Sequence, residues 1–129
     1  MLDTLKEQFK KAVTRLEEIL KLPKNDVIRD SAIKRFEFSF DLGWKLMRAY
    51  LREEKGIDCD SPKECIRSAY RHGLIGYDKG WLEMTDWRNE VVHTYGEAYA
   101  DRLYENLPKI LTLFQKLGIA VDNENKEVT

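Results

Sequence analysis

Residues 27–54, VIRDSAIKRFEFSFDLGWKLMRAYLREE, form an unbroken run without proline that leads to Gly56. Within it Phe36, Phe40, Trp44, Met47 and Leu51 recur at spacings of three and four, which places them on one face of an α-helix. At 1.5 Å per residue such a helix is a rod of roughly 40 Å. Asn25 or Asp26 can cap its start, and Gly56 suits its end. Ala32, Gly43 and Ala49 offer small surfaces where a neighbouring helix can approach closely. A chain of 129 residues built around one such rod has material for a single domain.

The flanking sequence supplies the other helices. Leu2, Leu5, Phe9, Ala12, Val13, Leu16, Ile19 and Leu20 predict an amphipathic helix over residues 2–21, stopped by Pro23. SPKE at 61–64 is a capping box, with Ser61 accepting from the Glu64 amide, Pro62 at the first helical position and Glu64 reaching back; a short helix to about His72 follows, ended by Gly73. Asp78 can cap a fourth helix through WLEMTDWRNEVVHTY, broken or bent at Gly96. A last helix is predicted from about Glu97 to Leu117, stopping at Gly118, with a bend or split at Pro108. The class is therefore all-α: an up-and-down four-helix bundle with an additional short helix over residues 1–121, its first two helices antiparallel, and a polar tail over 122–129 that frays.

Charge narrows the function. Lys and Arg number 22 against 23 Asp and Glu, a net charge of −1, so no global positive field steers the protein along nucleic acid and any RNA contact must come from a local cleft. The charged N-terminus has no apolar core of signal-peptide length, and no uncharged run approaches the ~20 residues that span a bilayer. These features predict a soluble cytoplasmic protein. Cys59 and Cys65 lie six apart without a CxxC or a histidine cluster, which predicts two reduced thiols and neither a zinc site nor a redox pair.

Arg-x4-His occurs twice. In RSAYRH, Arg67 to His72, the histidine precedes Gly73 at a helix end, where the C-terminal dipole accounts for it. In RNEVVHTY, residues 88–95, helical geometry puts Asn89 and His93 on one face with Asp86, and Arg88 and Tyr95 on the next. Arg88 offers a fork of donors to a phosphate, and His93 is suited to proton transfer near neutral pH. The plainer account is a solvated, salt-bridged helix face, with Trp81, Met84, Trp87 and Val91 as core. Asp58 to Asp60 alternates carboxylates as a two-metal site does, but lies in an interhelical loop without the Gly-Ser turn or strand such a site needs. The ladder Lys34, Glu37, Asp41, Lys45, Arg48 reads as helix-surface charge pairing, and nothing in the sequence shows whether Glu37 or Asp41 has a second role in orienting Arg88.

RDSAIKRFEFSFDLGWKLMRAYL, SPKECIRSAYRHGLI and WLEMTDWRNEVVHTY resemble successive blocks of the nucleotidyltransferase substrate-binding protein family within the HEPN (higher eukaryote and prokaryote nucleotide-binding) superfamily, over roughly residues 5–117. The resemblance implies a helical bundle that forms a homodimer and pairs with a minimal nucleotidyltransferase carrying the catalytic carboxylates absent here. RNEVVHTY also matches the Arg-x4-His-x-Tyr signature of the family's toxin branch, with a polar residue after the arginine. By that likeness Arg88 and His93 form a metal-independent ribonuclease site acting on RNA, Asn89 supports it, and Tyr95 receives AMP from the partner enzyme, which silences the toxin. No cofactor is implied. Two other readings stand beside it: a non-catalytic substrate-binding adaptor of a two-component nucleotidyltransferase, and a helical oligomerisation module.

Overall fold

A computed structural model describes residues 1–91 and 96–127, the last four by their backbone alone. The elements are α1 (Leu2–Leu20), α2 (Asp26–Lys55), α3 (Pro62–Arg71), α4 (Gly80–Val91) and α5 (Glu97–Glu127), with no strand among the described residues. The all-α expectation holds.

The caps fall where the sequence puts them. Asn25, not Asp26, caps α2, its side chain accepting from the Ile28 amide at 2.8 Å. Gly56 ends the helix at φ 67°, a conformation in which its N–H reaches the Arg52 carbonyl and the Ile57 N–H reaches that of Leu51. Ser61 caps α3 through the Glu64 amide, while the Glu64 carboxylate accepts from the Asp60 amide, one residue ahead of the cap. The short link 21–25 folds α1 back along α2, and Gly43 sits where an added Cβ would lie 3.0 Å from the Phe9 ring. That contact is the close approach a small residue permits.

The core gathers between α1, α2, α4 and α5. Phe114 stacks on Phe36 with centroids 6.4 Å apart, meets Phe9 edge-on at 5.8 Å and tilts against Trp81 at 5.9 Å. All four rings are buried. Trp81, Met84 and Val91 are core as their spacing predicts, whereas Trp87 is half-buried.

Three expectations are corrected. Pro108 does not split α5, because Leu103 and Leu107 before it and Ile110, Leu113 and Phe114 after it all enter the core, and their packing outweighs a local cost of about 3 kcal/mol. Gly118 does not stop the helix either. A Cβ added there would lie 4.0 Å from the Phe9 ring, and with Leu117 and Val121 buried on either side the apolar stripe carries the helix on. Cys59 and Cys65 are not free thiols but a disulfide: the turn from the 57–60 segment into α3 brings their Cα atoms to 5.3 Å, within bonding reach. Among the described residues no helix is long and apolar enough to cross a membrane.

Candidate functional site

Helix α4 begins where the Asp78 carboxylate accepts the Gly80 amide at 2.8 Å. It then buries Trp81, Met84, Thr85 and Val91. The Thr85 hydroxyl donates to the Trp81 carbonyl, which removes its polarity from the core. With that face fixed inward, Asp86, Asn89 and Glu90 point away from the core and Arg88 lies half-buried at the edge, in the last turn.

Arg88 leans on α2. Its Nη2 donates to Asp41 Oδ2 at 3.3 Å, with the two side chains 27% and 41% exposed. Of Glu37 and Asp41, the two carboxylates whose role toward Arg88 the sequence left open, Asp41 takes the contact, and Glu37 lies 3.8 Å from Lys34 instead. Arg88 Nε is enclosed and has no hydrogen-bond partner among the described residues. One bond to Asp41 thus orients the guanidinium, whose enclosed Nε is out of a ligand's reach and whose other N–H groups have no further acceptor among the described residues. Asp86 does not join this arrangement: it pairs with Lys63 of α3 at 2.7 Å. His93 and Tyr95 lie outside the described residues, so of the face that helical geometry assigned to Asp86, Asn89 and His93 the structure describes Asp86 and Asn89.

The described residues after Gly96 are anchored firmly. The Tyr99 hydroxyl donates to the Trp87 carbonyl at 2.8 Å, and the two rings pack at 5.1 Å, tying the start of α5 to the last turns of α4. Burial, reinforced by the Glu90 charge, pushes the Tyr99 phenol up to about 12. Arg29, 1% exposed, donates to Glu97 at 2.7 Å, to Asp30 at 3.0 Å and to Asp101 at 3.2 Å. Those carboxylates, Glu97 foremost, hold its guanidinium protonated well beyond the usual range. Lys24 and then Arg29 hold the Asp101 carboxyl below its ordinary range. The two stretches that flank RNEVVHTY's last four residues are therefore pinned to α2 and to each other.

Sequence reasoning missed Arg29, although a signal was present. Residues 29, 33, 36 and 40 form one helical stripe, so an arginine stands in a core register with Asp26 and Asp30 beside it. A cleft of about 340 Å³ between α4 and α5 is lined by Glu83, Asp86, Glu90 and Arg102 around Trp87 and Tyr99. Three carboxylates make it a poor host for phosphate.

The other motifs resolve plainly. His72 is the C-cap of α3 with its Nδ1 2.9 Å from the Ser68 carbonyl, a structural role, and Arg67 is exposed. Asp58 pairs with Arg52 at 2.9 Å, and Cys59 between the two aspartates is bonded to Cys65. No group of three or more His, Cys, Asp or Glu among the described residues is placed to hold a metal ion.

Comparison with known proteins places this architecture. The chain is 33% identical over 91 residues to a Haemophilus influenzae protein named probable ribonuclease HepT, covering 67% of this chain and 62% of that one. A crystal structure of a Thermus thermophilus protein superposes with a TM-score of 0.79 at 38% identity, over 84% of this chain and 94% of the other. Haemophilus influenzae HI0074, described as revealing the fold of a substrate binding domain of a nucleotidyltransferase, superposes with a TM-score of 0.67 at 27% identity, over 91% and 93%. The profile of the family described as nucleotidyltransferase substrate binding protein like matches residues 5–121. With that match spanning nearly all five helices, this chain belongs to the nucleotidyltransferase substrate binding protein like family.

Proposed function

We propose that this chain is the toxin of a toxin–antitoxin pair: a metal-independent endoribonuclease neutralised when a cognate minimal nucleotidyltransferase attaches AMP to Tyr95. The observation that carries the reading is Arg88, half-buried, held by Asp41 and left with an enclosed Nε that has no acceptor among the described residues. The relative named as a probable ribonuclease supports the same reading.

RNA brings its own nucleophile. His93 takes the proton from a 2′-hydroxyl, the 2′ oxygen attacks the adjacent phosphorus, and the 5′-oxygen leaves with a proton from a second imidazole. Arg88 holds the charge that gathers on the non-bridging oxygens, and Asn89 supports the pair. One histidine cannot be base and acid in the same step. A homodimer that brings two copies of the motif to one cleft supplies both. Attack of the Tyr95 oxygen on the α-phosphorus of ATP forms a phosphodiester and releases pyrophosphate. The product carries bulk and negative charge two residues from His93 and excludes the substrate.

Expression without the partner tests this. Wild type is expected to arrest growth and cut RNA, with Arg88→Ala and His93→Ala each lowering cleavage about 10²-fold. Cleavage that survives the loss of His93 sinks the mechanism. A second reading, a non-catalytic adaptor that completes the partner's substrate pocket, draws on the family's description and on that of HI0074. A folded dimer that never cuts RNA yet raises the partner's transferase activity decides for the adaptor. For the control step, wild type is mixed with the partner and ATP, and an AMP-sized addition on a tyrosine other than Tyr95 removes the switch.

A further inference from the structure

Many charges on this bundle are neutralised locally. Lys10, Lys24, Lys34, Arg52 and Lys63 each pair with a carboxylate. Lys11 and Arg15 of α1 and Arg35 of α2 are exposed and have no carboxylate partner among the described residues. All three line one groove of about 380 Å³ between α1 and α2. Ala12 and Leu42 give it an apolar floor, and no carboxylate is among the described residues that line it. Glu7 and Glu18 are also on α1, outside the lining.

Phe38 stands in the same groove. Of the five phenylalanines, Phe9, Phe36, Phe40 and Phe114 are buried, whereas Phe38 is 65% exposed. An aromatic face left in water beside three unpaired cations matches what a single-stranded nucleic acid presents: a flat base and a run of phosphates. Phe38 is also about one helical turn along α2 from Asp41, the residue that holds Arg88, although Asp41 itself is not in the groove's lining. The cleft between α4 and α5, by contrast, is lined by three carboxylates and repels the same ligand.

We propose that the α1–α2 groove binds single-stranded RNA, with phosphates on Lys11, Arg15 and Arg35 and a base stacked on Phe38. The proposal rests on the ribonuclease reading and names where its substrate lies outside the reacting centre. A second copy of the chain is a poorer occupant. A two-fold axis through this groove would set three cations against the same three, with no carboxylate in the lining to compensate.

The test uses the intact wild-type chain and a fluorescent single-stranded RNA whose 2′-hydroxyls are methylated, so that it binds without being cut. Phe38→Ala is expected to weaken binding about tenfold or more. Arg15→Gln with Arg35→Gln is expected to flatten the dependence of log affinity on log salt by about 0.7 for each phosphate that is no longer neutralised. Arg71→Gln, on the exposed end of α3, serves as the control and is expected to bind as wild type. Circular dichroism and light scattering follow fold and mass in parallel, and unmodified RNA reports cleavage. If wild type cuts RNA and the groove variants bind and cut it equally well, the groove proposal fails while the ribonuclease reading stands. If wild type neither binds nor cuts RNA, both fail. Variants that keep RNA affinity but dissociate to monomers, or lose only the nucleotidyltransferase, assign the groove to a protein contact and overturn the proposal.

Discussion

Replacing Asp41 by Asn removes one charge from the ion pair that orients the Arg88 guanidinium among the described residues. Coulomb's law at 3.3 Å gives about 1 kcal/mol in water and about 5 kcal/mol at an effective dielectric near 20. With the partners 41% and 27% exposed, screening and side-chain entropy reduce the net stability contribution to about 1 kcal/mol or less. On the ribonuclease reading, the expected effect on cleavage is larger. Orientation of Arg88 matters only when its charge must meet a phosphate, and a tenfold loss in kcat/KM corresponds to about 1.4 kcal/mol of transition-state stabilisation. A cycle of wild type, Asp41→Asn, Arg88→Ala and the double variant isolates that coupling. Initial rates of RNA cleavage are expected to fall about tenfold on Asp41→Asn when Arg88 is present, and less than about twofold when it is absent. Urea unfolding of the same four proteins should return a coupling of about 0.5–1 kcal/mol, whether or not the chain is a ribonuclease. Equal losses in both backgrounds would show that Asp41 acts independently of Arg88. Faster cleavage by Asp41→Asn would show that the carboxylate competes with phosphate instead of positioning its partner.

Further outcomes follow from the packing and the shifted groups. Phe114→Ala removes the ring that joins Phe9, Phe36 and Trp81 and should cost about 4 kcal/mol, a fall of roughly 2 M in the urea midpoint; a loss under about 1 kcal/mol means that the core closes without it. The Asp101 carboxyl is held low in the fold, so its stabilising effect is present above the ordinary carboxylate range near 4 and is lost as pH falls through the lower folded value. Acid unfolding of Asp101→Asn should therefore converge with wild type only at the acid end. Tyr99 keeps its proton to about pH 12 in the fold, so stability falls as pH rises from about 10 toward 12, and an ultraviolet titration of Tyr99→Phe should lack that last step. Breaking the Cys59–Cys65 bond, which closes a loop over a separation of only 6 residues, should cost about 2 kcal/mol, and thiol alkylation of the folded protein without reductant should label neither cysteine.

Much of this molecule was legible in one dimension, because helices are local objects. Apolar spacing, Asn25, Gly56 and the SPKE box determine where several of the helices begin or end, since each cap acts on amides within a few residues of itself. The sequence also singled out RNEVVHTY over RSAYRH, and His72 indeed caps α3. Tertiary structure decided what depends on residues far apart in the chain. Pro108 and Gly118 carry local signals to stop a helix, but Gly118 and the core residues on either side of Pro108 lie on a stripe whose partners, Phe9 and Trp81 among them, are contributed by other helices. Arg29 reads as a surface charge until α5 sets Glu97 and Asp101 against it. Asp41 and Arg88 are 47 residues apart, and Arg15 meets Arg35 and Phe38 across one groove only because α1 folds back along α2. A pattern along the chain reports which faces are apolar. Which charges find partners, and which remain free to hold a ligand, is settled only when those faces close on one another.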